Sequence, residues 1–211
     1  MIENTLSPQA ARRIYDLLGK RYDWFSFYEG RAKERALQLL DLAPGQEVLN
    51  AGVGTGRDQV EVQKRVAPGG GVYGIDLSPN MLRASRERSA APLSEADVRN
   101  LPFPGDSFDR IFCAYVLDLI PLEDLPGVLR GFRRVLKPGG RLVTVSMTEG
   151  VNLPSRAFVS VWKLAYAVSP ISCGGCRPLQ LREMAKQAGF HQVEREVVVQ
   201  LGVPSEILAA N

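Results

Sequence analysis

The spacing of apolar and polar residues differs between residues 1–42 and the rest of the chain. Behind Ser7-Pro8, apolar residues recur at helical intervals, which predicts an amphipathic helix that begins at this pair. A second helix is predicted in RAKERALQLLDL, whose mixed charges are typical of a solvated face. Pro44-Gly45 provides the turn chemistry that ends it. Residues 1–42 are therefore predicted to be helical.

From residue 47 onward, short apolar runs alternate with amphipathic stretches. The predicted strands are EVLNAG, VYGID, PLSEAD, RIFCAYVLDLI, which runs into its loop, and RLVTVSM, which follows the turn Lys137-Pro138-Gly139-Gly140. Ser78 is predicted to cap a helix that has Pro79 at its first position. The run IFCAYV lacks polar alternation, as do parallel strands that are covered on both faces. This alternation of strands and helices indicates a doubly wound parallel sheet.

After Met147 the pattern is less regular. A helix is predicted in SRAFVSVWKLAYAVSP and another in PLQLREMAKQAGF. The last segment reads as two strands around Gly202-Val203-Pro204, and so short a turn favours an antiparallel pair. We therefore predict an α/β fold with a doubly wound, Rossmann-like sheet of seven mostly parallel strands. It carries an antiparallel C-terminal strand and helices on both faces.

The composition narrows the classes of function that fit the chain. With 211 residues, 45% hydrophobic and 23% charged, the chain suits a single domain of ordinary globular composition. A net charge of +3 is small and scattered, so no nucleic-acid partner is predicted. The first ten residues lack a signal-peptide pattern, and three cysteines fit a reducing compartment, so we expect a cytoplasmic protein.

Three glycines at alternate positions follow the first predicted strand, in the motif GVGTG. Glycine lets the backbone approach a ligand closely, so Gly52, Gly54 and Gly56 predict a loop that holds a nucleotide-like cofactor. The dinucleotide fingerprint G-x-G-x-x-G would need its third glycine at Arg57. The motif therefore counts against NAD or FAD without excluding them.

Two acids end the second and third predicted strands. Asp76, 20 residues beyond Gly56, can accept hydrogen bonds from both hydroxyls of a ribose. Asp97 can accept one from an adenine amino group that lies in the crevice beyond the strand ends. Either acid can also be an ordinary turn residue.

These motifs resemble the class I S-adenosylmethionine-dependent methyltransferases, particularly the branch with quinone-ring methyltransferases and phosphatidylethanolamine N-methyltransferases. The stretches that carry the resemblance are VLNAGVGTG, VYGIDLSPNML, ADVRNLPFPGDSFD, CAYVLDLIP and RVLKPGGRLV. The resemblance implies one methyltransferase domain over residues 1–211. Its parts would be cap helices in 1–42, a cofactor-binding core in 43–148, and an acceptor-pocket segment with the C-terminal strands in 149–211. The activity implied is methyl transfer from S-adenosylmethionine to a small-molecule or lipid-like acceptor.

The resemblance also implies roles for individual residues. The positions expected at the methionine end of the cofactor are Ala51, Gly52 and Gly54. Those expected at the ribose and adenine are Asp76, Leu77, Asp97 and Val98. Those expected beside the sulfonium are Ala114 and Tyr115. The other positions expected at the cofactor are Asn50, Gly56, Met81, and the cap residues Tyr22 and Arg31.

Asn50 departs from the resembled family, which usually has an acid there. Asparagine offers no charge to the cofactor's ammonium group, a loss of about 1–2 kcal/mol in binding. The weak candidates for a catalytic base are Tyr22, Asp118 and His191, and a helix- or loop-capping role is favoured for Asp118. The CGGC motif at 173–176 is predicted to be a flexible loop rather than a metal or redox site, because zinc usually takes four ligands.

Three functions remain open from the sequence. The first is methyl transfer, for which GVGTG and AYVLDLIP slightly favour a phospholipid amine over a quinone ring as acceptor. The second is S-adenosylmethionine binding without transfer, which Asn50 and the missing base favour slightly. The third, disfavoured, is an NAD-dependent oxidoreductase. The helix SRAFVSVWKLAYAVSP either packs on the sheet or contacts a membrane as a lid over a lipidic acceptor.

Overall fold

The computed structural model describes residues 6–211. Residues 1–5, which belong to the segment without a predicted signal peptide, lie outside the described residues. The α-helices are α1 (Pro8–Leu18), α2 (Tyr22–Phe25), α3 (Gly30–Leu39), α4 (Arg57–Val66), α5 (Pro79–Arg86), α6 (Leu125–Val135), α7 (Leu153–Val168) and α8 (Arg182–Gln187). The strands are β1 (Glu47–Ala51), β2 (Gly71–Asp76), β3 (Leu93–Glu95), β4 (Phe108–Ala114), β5 (Leu136–Met147), β6 (Glu194–Gln200) and β7 (Val203–Ala210).

The seven strands form one sheet in the order β3-β2-β1-β4-β5-β7-β6. Every neighbouring pair is parallel except those of β7, which runs antiparallel to both β5 and β6. The predicted α/β fold with an antiparallel C-terminal strand is therefore confirmed. The strand order reverses beside β1, and ligands of such sheets bind beyond the carboxyl ends of the strands at this point.

Two apolar cores cover the two faces of the sheet, which explains the unbroken apolar run of β4. Ile111 and Cys113 point into the core under α6 and α8, whereas Phe112 points into the core under α3 and α4. Since successive side chains of a strand alternate between faces, a strand covered on both sides needs apolar residues at every position. The same burial fixes the register of the central strands.

Local signals at the helix starts are confirmed. Ser7 accepts a hydrogen bond from Ala10 N–H at the start of α1, and Ser78 accepts one from Met81 N–H at the start of α5. The turn predicted at 137–140 is wrong in detail, because β5 already begins at Leu136. The pairing moves from Phe108–Leu136 to Arg110–Arg141, so the extra residues form a bulge inside the strand.

Helix α7 packs on the sheet with one face and leaves the other bare. Val159 and Tyr166 are buried, whereas Leu153 is 82% and Val168 89% exposed. Among the described residues, no helix combines the length and apolar character needed to cross a bilayer.

Candidate functional site

A cavity of about 460 Å³ lies beyond the carboxyl ends of β1, β2 and β4, beneath the N-terminal helices α1 to α3. It brings together most of the residues that the sequence predicted at the cofactor. Those that line it are Tyr22, Gly52, Gly54, Asp76, Leu77, Met81, Asp97, Val98, Ala114 and Tyr115. This is the crevice at the strand-order reversal where the fold favours ligand binding.

The glycine loop between β1 and α4 needs glycine at Gly52 and Gly54 for different reasons. Gly52 has φ of 82°, and a Cβ there would lie 2.1 Å from Cγ2 of Val116. Gly54 has φ of 54°, and no atom lies within 4 Å of its Cβ position, which leaves a cradle for a ligand. Their N–H groups are used inside the protein, since Gly52 donates to Ile75 O and Gly54 to Asp76 Oδ2. These amides therefore shape the cavity rather than offer free donors.

Asp76 is held with both carboxylate oxygens on backbone donors at the cavity wall. Oδ2 accepts the Gly54 N–H at 2.8 Å and Oδ1 accepts the Ser78 N–H at 2.9 Å. Burial raises the pKa of the carboxyl to about 6, although these hydrogen bonds favour the ionised form. An ionised carboxylate has about four lone-pair positions, so two remain for hydroxyl donors such as those of a ribose.

Asp97 also lines the cavity, but its carboxylate is engaged with Arg99. Arg99 Nε donates to both oxygens of Asp97 at 3.0 and 3.1 Å, and its NH1 group reaches Asp124 at 3.2 Å. Burial alone would raise the pKa of Asp97, but the hydrogen bonds from Arg99 outweigh it and hold that pKa below its usual range. Asp97 therefore stays ionised at the end of the cavity beyond β3.

Three residues predicted at the cofactor do not line the cavity and instead support the loop around it. Asn50 is buried and donates through Nδ2 to Gln59 Oε1 on α4, at 3.0 Å. Ala51 is fully buried at the end of β1. A Cβ on Gly56 would lie 2.5 Å from the Ser85 hydroxyl, so this glycine permits close approach of α5. The missing charge at Asn50 therefore says little about affinity.

The cap prediction for Arg31 is wrong, because this residue is exposed at the start of α3 and does not line the cavity. Its backbone N–H donates to Gln200 Oε1 on β6. A helix turns about 100° per residue, so a side chain one or two positions away faces a different direction. Lys33, two residues further on, takes the inward position instead.

Two of the three base candidates lie away from the cavity. Asp118 is fully buried behind the wall, where Oδ2 accepts the Met147 N–H at 3.3 Å and burial raises its pKa to about 7. This arrangement matches the loop-capping role rather than the mouth of the crevice. His191 is exposed, and its N–H donates to Asn211 O beyond β7. Because β7 is antiparallel to β5, its carboxyl end lies beside the amino ends of the parallel strands, away from the cavity.

Tyr22, the third base candidate, lines the cavity and donates its hydroxyl to Glu29 Oε1 at 2.6 Å. Burial raises the pKa of the Tyr22 phenol well above its usual value, and the nearby Glu29 carboxylate adds to this. A phenol in this setting keeps its proton. Tyr22 is therefore a hydrogen-bond donor at the cavity rather than a base.

Sequence reasoning missed two acids that tie the cap to the cofactor loops. Asp23 accepts hydrogen bonds from the Thr55 hydroxyl and from Arg88, both at 2.6 Å. Asp16 accepts from the Ser78 hydroxyl at 2.5 Å. These partners lie 32 to 65 residues apart in the chain, so no local pattern marks them.

A second missed group consists of Glu29, Lys33 and Asp58, all of which line the cavity. Lys33 was assigned to a solvated face, but only 20% of its side chain is exposed and it contacts both carboxylates. The spacing of Glu29 and Lys33, four residues apart at the start of α3, is a sequence signal that points to their pairing.

Part of the cavity lining is apolar. This part includes Leu6, Pro8, Leu119, Ile120 and Pro121. The fully buried Arg177 fixes this wall by donating to the carbonyl oxygens of Asp118 and Ile120, at 2.8 and 2.6 Å. A cavity lined by both apolar and charged residues suits a ligand with both characters.

The CGGC motif forms a turn against this wall. Gly174 and Gly175 both have positive φ, and the hydroxyl of Tyr15 lies 3.9 Å from the Cys176 sulfur. All three cysteines are free thiols, and burial raises the pKa of both thiols of the motif. A protonated, buried thiol is a poor nucleophile and metal ligand, which favours the predicted loop over a metal or redox site.

Comparison with known proteins decides the family. A family described as "Methyltransferase domain" matches residues 48–140. A 2-phytyl-1,4-naphtoquinone methyltransferase of Nostoc punctiforme is 33% identical over 175 residues, which cover 79% of this chain and 72% of that protein. A demethylmenaquinone methyltransferase of Staphylococcus aureus is 31% identical over 177 residues, 80% of this chain and 70% of that protein. The chain belongs to the class I S-adenosylmethionine-dependent methyltransferases.

A solved structure from Thermotoga maritima, titled as an S-adenosylmethionine-dependent methyltransferase and possible histamine N-methyltransferase, superimposes with a TM-score of 0.71. The match covers 95% of this chain and 99% of that one at 18% identity, and so supports the fold alone. As a member of the family, the protein is an enzyme that transfers methyl groups from S-adenosylmethionine to a small-molecule acceptor. The open cradle at Gly54 and the available lone pairs of Asp76 fit that cofactor. The alternative of an NAD-dependent oxidoreductase falls with this assignment.

Proposed function

We propose that the acceptor is an apolar, quinone-like ring compound that is methylated on a ring carbon. The observation that carries this proposal is a cavity whose lining combines charged residues with a group of apolar ones, and also includes Gly52 and Tyr115. The apolar wall of Leu6, Leu119 and Ile120 offers no partner for a polar headgroup. The names of the relatives in Nostoc punctiforme and Staphylococcus aureus favour the quinone class over the phospholipid class.

The cofactor would lie along the strand ends, where each residue has a separate task. Asp76 would accept the ribose hydroxyls, Leu77 and Met81 would pack on the adenine, and Asp97 with Val98 would lie at the adenine edge. Ala114 and Tyr115 would form the floor beside the sulfonium. When bound, S-adenosylmethionine supplies the methyl group that leaves sulfur as the acceptor attacks in line. Residues 1–42 would act as the cap, 43–148 as the cofactor-binding core and 149–211 as the acceptor segment.

The protein's own contribution would be positioning and exclusion of water. The cap closes over the cavity through Asp16 and Asp23, and the apolar wall orients the ring. Tyr22 would position Glu29 at the cavity by donating its hydroxyl to that carboxylate. The Asn50 argument for a non-catalytic binding protein loses its force, because that side chain does not line the cavity.

The first test is titration calorimetry with S-adenosylhomocysteine on the wild type and on Asp76→Ala. We expect binding that falls at least tenfold in the variant, because the ribose hydroxyls lose a charged acceptor. The control is Glu183→Ala, an exposed acid on α8, which should bind like the wild type. If the folded wild type does not bind, or if Asp76→Ala binds equally well, the proposed cofactor-binding site is wrong.

The acceptor class is tested by incubating the enzyme with methyl-labelled S-adenosylmethionine and either a demethylated naphthoquinol or phosphatidylethanolamine vesicles. We expect the label to appear on the ring carbon of the naphthoquinol. Label on the phospholipid amine alone would overturn the proposed acceptor and leave the family assignment intact.

We also propose that the enzyme works in the cytoplasm and contacts a membrane surface through α7. Its free thiols fit a reducing compartment. The bare face of α7 carries Leu153, Val161, Leu164 and Val168. The helix contains Arg156 and Lys163 but no acid, as interfacial helices often do.

This contact is tested by sedimentation with vesicles of phosphatidylcholine and phosphatidylglycerol. We expect the wild type to sediment with them and Leu164→Glu/Val168→Glu to remain in solution. The matched control is Gln180→Glu/Gln187→Glu, which adds the same charge at exposed polar positions and should sediment like the wild type. Equal sedimentation of all three proteins would contradict the contact.

A further inference from the structure

Lys33 lies in the cavity wall between two carboxylates. Its Nζ is 2.9 Å from Glu29 Oε2 and 3.2 Å from Asp58 Oδ2. The Glu29 side chain is only 3% exposed, so this is a largely desolvated group of charges. Burial alone would lower the pKa of Lys33, but the two carboxylates outweigh it and raise that pKa above its usual value. The three residues, here called the Lys33 cluster, therefore carry one net negative charge.

The position of the Lys33 cluster along the sheet edge indicates what it faces. Asp97 follows β3, Asp76 ends β2, Gly52 follows β1 and Tyr115 follows β4, in the spatial order of the strands. Lys33 Nζ lies 5.7 Å from the centre of the Tyr115 ring. With strands about 4.8 Å apart, β3 and β4 are separated by roughly 14 Å. The cluster thus lies at the opposite end of the cavity from Asp97.

A ligand that places its adenine near Asp97 and its ribose on Asp76 would extend its remaining end toward Tyr115 and the Lys33 cluster. In S-adenosylmethionine that end is an α-amino acid with one carboxylate and one ammonium group. We propose that the Lys33 cluster recognises this end, with Lys33 binding the carboxylate and Glu29 and Asp58 accepting from the ammonium group. The inference rests on the cofactor-binding site proposed above.

The cluster also accounts for the departure at Asn50. The charge that an acid at the end of β1 would contribute is supplied here by Glu29 beside α3 and Asp58 on α4. Lys33 pairs with both carboxylates, so the three side chains hold one another in place before a ligand binds. The zwitterionic end can then exchange partners with the cluster without leaving any buried charge unpaired. The net charge of −1 further favours the cationic S-adenosylmethionine.

The test compares two ligands that share the adenosine part. S-adenosylhomocysteine has the amino-acid end, and 5′-methylthioadenosine lacks it. We expect Lys33→Met to weaken S-adenosylhomocysteine at least tenfold and 5′-methylthioadenosine less than threefold, measured by titration calorimetry. Lys64→Met, which removes an exposed lysine on α4, should leave both affinities unchanged.

Asp58→Asn provides a second variant in case Lys33→Met, which leaves two acids together, does not fold. It keeps the size of the side chain, and we expect it also to weaken S-adenosylhomocysteine selectively. Thermal unfolding of each variant shows whether it is folded. Equal losses of affinity for both ligands, or no loss of affinity in folded variants, would overturn the role of the cluster but leave the proposed cofactor-binding site intact. If the wild type binds neither ligand, both the proposed cofactor-binding site and the role of the Lys33 cluster are wrong.

Discussion

The two walls of the cavity are built in different ways. The strand-edge wall consists of Gly52–Thr55, Asp76–Ser78 and Asp97–Arg99, each of which closely follows a strand of the parallel sheet. The cap wall consists of α1 to α3, which precede the sheet in the chain. Hydrogen bonds between residues 32 to 65 positions apart join the cap to the other wall. The strand-edge wall is therefore fixed by backbone geometry, and the cap by a few side chains.

If this distinction is right, the two walls should respond differently to mutation. A backbone change in the strand-edge wall should disturb the sheet itself, since the loop amides bond to Ile75 and Asp76. A side-chain change at the cap should loosen α1 to α3 and leave the sheet intact.

The largest effect is expected for Gly52→Ala. The new Cβ would overlap Val116 Cγ2 at 2.1 Å, at a φ of 82° that alanine rarely adopts. We expect a loss of about 2–5 kcal/mol in the free energy of unfolding, measured by urea denaturation. The control is Gly131→Ala on α6, where no atom lies within 4 Å of the Cβ position, and this variant should be as stable as the wild type or more so. A Gly52→Ala variant of normal stability would show that the loop tolerates a shift of Val116.

A smaller effect, confined to the cap, is expected for Asp23→Ala. The side chain is 6% exposed, and its removal takes the acceptor from the Thr55 hydroxyl and from the NH2 group of Arg88. We expect a loss of about 1–3 kcal/mol, with faster hydrogen exchange in α1 to α3 and unchanged exchange in β1, β4 and β5. Glu123→Ala, an exposed acid before α6, should change neither. Faster exchange throughout the sheet would contradict the division into two walls.

The same division explains what the sequence could predict. Strand–helix alternation, the N-caps at Ser7 and Ser78, and the glycine loop are local patterns, and the fold and the strand-edge residues follow from them. Lys33 was assigned to solvent because charges on a helix usually face water. Its burial depends on Asp58, 25 residues away, and on the placement of α3 over the sheet. The position of His191, a candidate base, could not be predicted for a related reason. Only the antiparallel pairing of β7 places it at the end of the sheet away from the cavity.

The next effect is a pH dependence that arises from Asp76, a residue of the strand-edge wall. The pKa of this carboxyl is about 6 in the folded protein against an ordinary 3.8, so the folded state without ligand holds the proton more tightly than the unfolded chain. The contribution of Asp76 to stability is therefore full below pH 3.8 and is lost as the pH rises through about 6.

Ligand binding should show the opposite trend, because a charged acceptor is needed for the ribose. Below about pH 6, we expect the affinity for S-adenosylhomocysteine to fall by up to tenfold per pH unit, measured by calorimetry between pH 5 and 7. Asp76→Asn should bind weakly with a flat profile. Asp97, whose pKa is lowered, stays ionised over this range and does not contribute. A steep profile retained in Asp76→Asn would assign the proton to another group.

The smallest effect is expected for Lys20→Gln, which removes an ion pair between the cap and Glu87 at the end of α5. Both side chains are more than half exposed, so water and salt screen the attraction. We expect a loss below ~0.5 kcal/mol and normal hydrogen exchange in α1 to α3. The comparison with Asp23→Ala is informative because both changes remove one charged residue of the cap, although Lys20 pairs with Glu87 alone and Asp23 pairs with both Arg57 and Arg88. If Lys20→Gln loosened the cap as much as Asp23→Ala, general charge attraction would hold the cap, and 1 M salt would then loosen the wild type as well. A clear difference between the two variants would show that the buried hydrogen bonds of Asp23 hold it closed.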